Sequence, residues 1–97
     1  MQMRILSESD VRQAVDMPEA IEAMRDAFLA LSSGQATVPI RLGLETEFGV
    51  SLFMPAHMKP SGQAGAKVVS VNPDNVTNGL PVIHAVVLIM DPVTGRP

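Results

Sequence analysis

A chain of 97 residues with 46% hydrophobic content is the size of one domain, and its seven basic against ten acidic residues offer no cationic cluster suited to nucleic acid. The absence of cysteine excludes disulfides, thiolate zinc sites and cysteine nucleophiles, while seven Met, three Phe and no Trp or Tyr make any core aliphatic and adaptable. Acidic residues interrupt the N-terminus before a signal-peptide core could form, and the longest apolar run, Leu80 to Met90, is about half a bilayer span, so a soluble cytoplasmic protein with no membrane partner is expected.

In chain order, a short strand is expected from Met3 to Leu6. Ser7 then caps a short helix running to about Val15. Asp16-Met17-Pro18-Glu19 supplies a cap and an N-terminal proline for a second helix. Ile21, Met24, Phe28 and Leu31 recur there at helical spacing, predicting one buried face, and Gly34 ends it. The grammar then becomes extended. Ile40 to Thr46 and Val50 to Met54 read as a hairpin around Glu47-Phe48-Gly49, with Gly49 at a turn position. Ala56 to Gln63 reads as loop, Ala64 to Asn72 as a strand, Asn72 to Gly79 as loop and Val82 to Met90 as a last strand. That strand is apolar on both faces except at His84, the pattern of a strand covered on each side. One long helix cannot supply both covers. Asp91 to Pro97 reads as the turn of a further hairpin whose return strand is missing. The predicted class is α+β, with N-terminal helices packed on a mostly antiparallel or mixed sheet.

Lys67 stands out as the one charge in Ala64 to Val71. Alternation puts it on the same face as Val69 and Val71. An ammonium there either snorkels to water near a strand end or faces an anion. Arg41, after Pro39, carries a fork suited to two-point grip on a carboxylate, and Lys67 could add a second cation to the same anion. Arg41 could equally lie on a solvated face or pair with Glu45 or Glu47. His57 and His84 lack metal-ligand spacing, and His84 reads as a hydrogen-bonded core histidine. Ser51, Ser61 and Ser70 have no nucleophile-elbow context, and no glycine-rich phosphate loop opens a helix.

The ordered set Ile5-Leu6-Ser7, Asp16-Met17-Pro18-Glu19-Ala20-Ile21, Val38-Pro39-Ile40-Arg41, Phe53-Met54-Pro55-Ala56, Gly65-Ala66-Lys67-Val68-Val69-Ser70-Val71, Asn78-Gly79-Leu80-Pro81 and Asp91-Pro92-Val93-Thr94-Gly95-Arg96-Pro97 resembles the ornithine cyclodeaminase/mu-crystallin family. No single piece is specific, but their order and spacing are. The resemblance implies a two-domain subunit of which residues 1–97 are an incomplete substrate-binding and dimerisation domain, the Rossmann nucleotide-binding domain being absent from this chain. It further implies hydride transfer between NAD or NADP and the α-carbon of an amino acid, keto acid or cyclic imine, as in ornithine cyclodeaminase, alanine dehydrogenase or ketimine reductase. By resemblance Arg41 is the carboxylate-binding arginine, Lys67 the catalytic and substrate-binding active-site lysine, placed to touch the carboxylate and the imine or hydrated carbon, and Met54 a pocket-lining, substrate-binding residue. The chain alone is expected to bind no cofactor or metal and to be inactive, and the intact protein is expected to be a homodimer. The competing expectation is a non-catalytic truncated module that dimerises or binds a small anion through Arg41 and Lys67.

Overall fold

The structure is a computed structural model and describes residues 2–97. Its first ordered feature is a reciprocal cap: Asp10 N–H donates to Ser7 Oγ at 3.1 Å and Ser7 N–H donates to Asp10 Oδ2 at 2.8 Å. This opens α1, Glu8–Ala14. The expected strand at Met3 to Leu6 is not formed; this stretch pairs with no other strand, and Leu6 is exposed. A strand needs a neighbour for its backbone groups, and none lies beside these residues.

Asp16 caps α2, Met17–Ser32, by accepting from Glu19 N–H at 2.9 Å. Its end is a Schellman closure, with Gly34 at φ 76°, Gly34 N–H donating to Leu31 C=O at 3.3 Å and Gln35 N–H to Ala30 C=O at 2.7 Å. The helix therefore stops where glycine predicts. Its apolar stripe does not behave as expected: Ile21, Met24, Phe28 and Leu31 are all exposed, Phe28 at 66%, and only Ala30 is buried. The reason is placement. Helix α2 contacts the short strand β1, Ala36–Thr37, at one corner of the sheet rather than lying across a face.

The sheet is antiparallel throughout, built from β1, β2 (Leu42–Thr46), β3 (Gly49–Met58), β4 (Ala64–Val71) and β5 (Ile83–Met90). Both β1 and β2 pair with one edge of β3, and β4 and β5 follow on the other side. The hairpin of β2 and β3 forms as predicted, but β2 starts at Leu42 and β3 runs four residues past Met54, shortening the expected loop at Ala56 to Gln63. Pro55 explains why the strand survives a proline. It falls between Phe53, the last partner of β2, and His57, the first partner of β1, so β3 loses no ladder bond on that edge. Gly49 is not the turn residue. It pairs with Thr46 without a left-handed φ, and its missing side chain is needed because a Cβ there would collide with the Val71 carbonyl oxygen.

The β4–β5 connection passes through a 3₁₀ turn, Pro73–Asn78, closed by Gly79 at φ 69°. Asn72 N–H donates to Val82 C=O and the Asn75 side-chain amide to Pro81 C=O, which tie its two ends together. After β5, Asp91 N–H donates to Arg96 C=O at 2.7 Å, so the chain doubles back as the sequence suggests.

Both faces of the sheet are largely open. Val69 is the one buried residue of β4, and Ile83, Val86, Val87, Leu88 and Ile89 of β5 are all exposed. The covers expected for β5 are not provided by α1 or α2. The accessible area of 8001 Å² exceeds the roughly 5,400 Å² expected for a compact monomer of this mass. The Cα radius of gyration, 15.7 Å, likewise exceeds the roughly 13 Å of a closed domain of this length.

Candidate functional site

Strand register fixes which side chains share a face. Residues directly opposite one another across antiparallel strands project the same way. Met54 pairs with Lys67, and Lys67 pairs with Val87, so these three form a row across β3, β4 and β5. The β2–β3 register pairs Leu42 with Phe53. Continued by one residue it sets Arg41 opposite Met54. Such an extension of the register would put Arg41 at the β2 end of the Met54–Lys67–Val87 row, two strand spacings, or about 10 Å of backbone separation, from Lys67. Arg41 itself lies just outside β2 and is exposed.

Lys67 sits on an interior strand with its side chain exposed, so its position reflects neither a strand end nor a sheet edge. Its neighbours on that face are Leu52, Met54 and Ala56 on β3, Gly65 and Val69 on β4, and Ala85, Val87 and Ile89 on β5. None carries a polar side-chain group. Among the described residues the ion pairs are Arg12–Glu8 at 2.8 Å and Arg25–Glu22 at 3.3 Å, both on helices. Arg41 does not pair with Glu45 or Glu47, and neither Arg41 nor Lys67 has a carboxylate partner among the described residues. Met54 is half-buried between them in the row. Lys67 thus stands over an apolar floor, with Arg41 just beyond the end of β2.

The opposite face has a different chemistry. Its rows are Leu42–Phe53–Val68–Val86, Leu44–Ser51–Ser70–His84, Pro55–Ala66–Leu88 and His57–Ala64–Met90. The Ser51 and Ser70 hydroxyls stand 3.4 Å apart, and His84 lies across from Ser70. His84 is exposed and makes no side-chain hydrogen bond among the described residues, so the expectation of a satisfied core histidine is not met. Sequence reading had no reason to group Ser51, Ser70 and His84. Only the register of three strands brings them into line.

Asp91 is the most firmly held carboxylate of the chain. Its Oδ1 accepts from Thr94 N–H at 2.7 Å, Val93 N–H at 2.9 Å and Thr94 Oγ1–H at 3.0 Å. The backbone amides of Thr94 and then Val93 hold its carboxyl below the usual range. Asp10 is lowered in the same direction, first by the Ser7 amide. Both serve turns or caps and are separate from the cation row. Among the described residues no cluster of His, Asp or Glu could hold a metal, and no helix is long and apolar enough to cross a membrane.

Two capped helices followed by an open antiparallel sheet define an α+β module. The family model of the ornithine cyclodeaminase/mu-crystallin family matches residues 1–97, and the chain belongs to that family. An alanine dehydrogenase of Archaeoglobus fulgidus is 37% identical over 97 residues, covering 100% of this chain and 30% of that protein. A Delta(1)-pyrroline-2-carboxylate reductase of Bacillus cereus is 33% identical, covering 98% and 30%. The solved Thermococcus litoralis Delta(1)-pyrroline-2-carboxylate reductase, in complex with NADH and L-proline, matches with 42% identity and a TM-score of 0.90 over 98% of this chain and 30% of that one. An archaeal alanine dehydrogenase dimer with bound NAD matches with 37% identity and a TM-score of 0.86, over 95% and 28%. The chain therefore spans about a third of the length of the relatives it matches.

Proposed function

We propose that residues 1–97 are the substrate-carboxylate-binding and dimerisation segment of an NAD(P)-dependent oxidoreductase acting on a small amino acid or cyclic imine. One observation carries this reading: Lys67 pairs with Met54 across β3 and β4, Arg41 directly precedes the β2 residue that pairs with Phe53, and neither cation has an acidic partner among the described residues. Arg41 grips the carboxylate through its planar fork, and Lys67 donates to the second oxygen and to the adjacent amine or imine nitrogen. Met54 forms the floor beneath. This divides binding from chemistry. The segment supplies orientation, which counts heavily for a hydride acceptor that must present one carbon to its donor.

A nicotinamide cofactor supplies hydride chemistry when bound, but the described residues do not fit one. The sheet has no parallel βαβ unit, and the α2 N-terminus carries Asp16 and Glu19 where a dinucleotide would place phosphate. The reading therefore assigns cofactor binding to a Rossmann domain outside this chain and routes no step through residues 1–97. Homodimerisation is supported by the open, apolar opposite face and by the archaeal relative solved as a dimer.

The test is calorimetric titration of L-alanine and L-proline into the intact protein. Lys67→Ala should weaken both by about 10- to 100-fold, the worth of a charge-assisted hydrogen bond. Unchanged affinity in a folded variant would reject the clamp. Carboxylate binding by residues 1–97 as a stable dimer, with no NADH oxidation by the intact protein, would instead favour the non-catalytic module.

A further inference from the structure

We infer that Val87 on β5 is a specificity-determining residue, forming with Ile89 the wall against which the substrate side chain lies and selecting neutral, apolar side chains. The inference rests on the carboxylate clamp proposed above and extends it to the other half of the ligand.

The row has a direction. Met54 is followed by Lys67 and then Val87, and Arg41 directly precedes the strand β2 that borders the Met54 end. A carboxylate shared by Arg41 and Lys67 lies over Met54. If Lys67 also reaches the nitrogen on the α-carbon, that carbon lies at Lys67 or beyond it, and its substituent continues away from Arg41. The next residue in that direction is Val87. Its side chain is directly across from Lys67 on the same face, with Cβ atoms about 5 Å apart in such pairs.

Two further observations shape this wall. Val87 is 61% exposed, so no part of the described chain occupies the space above it. Beside it, the Ala56–Gly65–Ile89 row is small on two strands, and Ile89 Cδ1 lies 3.0 Å from where a Gly65 Cβ would sit. Ile89 therefore leans toward β4 and extends the apolar wall next to Lys67. With Ala85 on the other flank, the β5 side of the ammonium offers three aliphatic side chains and no hydrogen-bonding group. A neutral side chain loses nothing there, whereas a terminal ammonium would be desolvated without a partner.

L-norvaline and L-ornithine share the three-carbon side chain and differ by one terminal ammonium, so they test the wall directly. Their dissociation constants are measured by calorimetry for the intact protein and for Val87→Asp and Val87→Asn, with L-norvalinamide as a clamp control. The expected result is that Val87→Asp shifts the norvaline-to-ornithine affinity ratio at least ten-fold toward ornithine, while the near-isosteric neutral Val87→Asn shifts it by a few-fold at most. A ratio within two-fold of the unsubstituted protein in Val87→Asp overturns the role of Val87, even if Lys67→Ala still weakens norvaline binding by ten-fold or more and the clamp stands. Norvalinamide binding as tightly as norvaline overturns the clamp and the inference together.

Discussion

The two faces of the sheet share one backbone and nearly the same apolar content, yet they solve different problems. On one, the row through Met54, Lys67 and Val87 sets a cation among aliphatic neighbours, with Glu45 on the same face in the separate row of Val50, Val71 and Ile83. On the other, Leu42, Phe53, Val68 and Val86 run beside a line of polar side chains, Ser51, Ser70 and His84. An isolated charge on an apolar floor attracts a small anion; short neutral hydroxyls on an apolar plane tolerate contact with another surface. The difference teaches that alternation along a strand is enough to give one sheet two chemically distinct faces. A shift of β4 by one residue would exchange what that strand contributes to the two faces.

The largest effect expected on ligand affinity is on the cation face. Arg41→Lys keeps the charge but loses the fork, and should still weaken carboxylate ligands by roughly ten-fold in calorimetry. Gly65→Val attacks the register on which both faces depend. A Cβ at Gly65 collides with the Leu88 carbonyl oxygen, so chemical denaturation should show a loss of about 2 kcal/mol or more. Gly43→Ala serves as its control, since the added methyl meets only Leu52 Cδ2 at 3.6 Å and should change stability by less than about 0.5 kcal/mol. On the opposite face, Val86→Lys should raise the dissociation constant of the homodimer in sedimentation velocity while leaving carboxylate affinity within about two-fold. A variant that loses both would merge the two faces into one function.

The smallest effect lies away from both faces. Asp10 and Asp91 have carboxyls lowered from the ordinary value of 3.8 by amide donors in the folded chain. A depressed folded value means the stabilisation is present above about pH 3.8 and is lost as pH falls through the lowered value. Amide exchange at Val93 and Thr94 should therefore accelerate only in strong acid, and in Asp91→Asn it should be fast at neutral pH as well. Carboxylate binding should not follow either change.

Much of the fold was legible because it rests on local chemistry. Ser7, Asp16 and Gly34 mark helix ends through bonds made within a few residues, and the structure places the caps at those positions. The hairpin of β2 and β3 and the strand bearing Lys67 follow from alternation. What sequence could not show is what a segment lies against. The stripe on α2 and the two apolar faces of β5 predict burial, but the elements that would bury them are not among residues 2–97. The short run Met3 to Leu6 has strand composition without a partner. At the site, Lys67 was visible as a charge out of place, whereas the alignment of Arg41, Met54 and Val87 with it depends on registers that only pairing reveals.

A double-mutant cycle on Arg41 and Lys67 tests the central claim most directly. Dissociation constants for L-proline are measured on the intact protein, Arg41→Ala, Lys67→Ala and the double variant. Two cations gripping one carboxylate should be coupled, so the double variant should lose less than the sum of the single losses, by about 1 kcal/mol or more. Additivity to within about 0.3 kcal/mol would mean that Arg41 and Lys67 do not share a ligand, and would contradict the account.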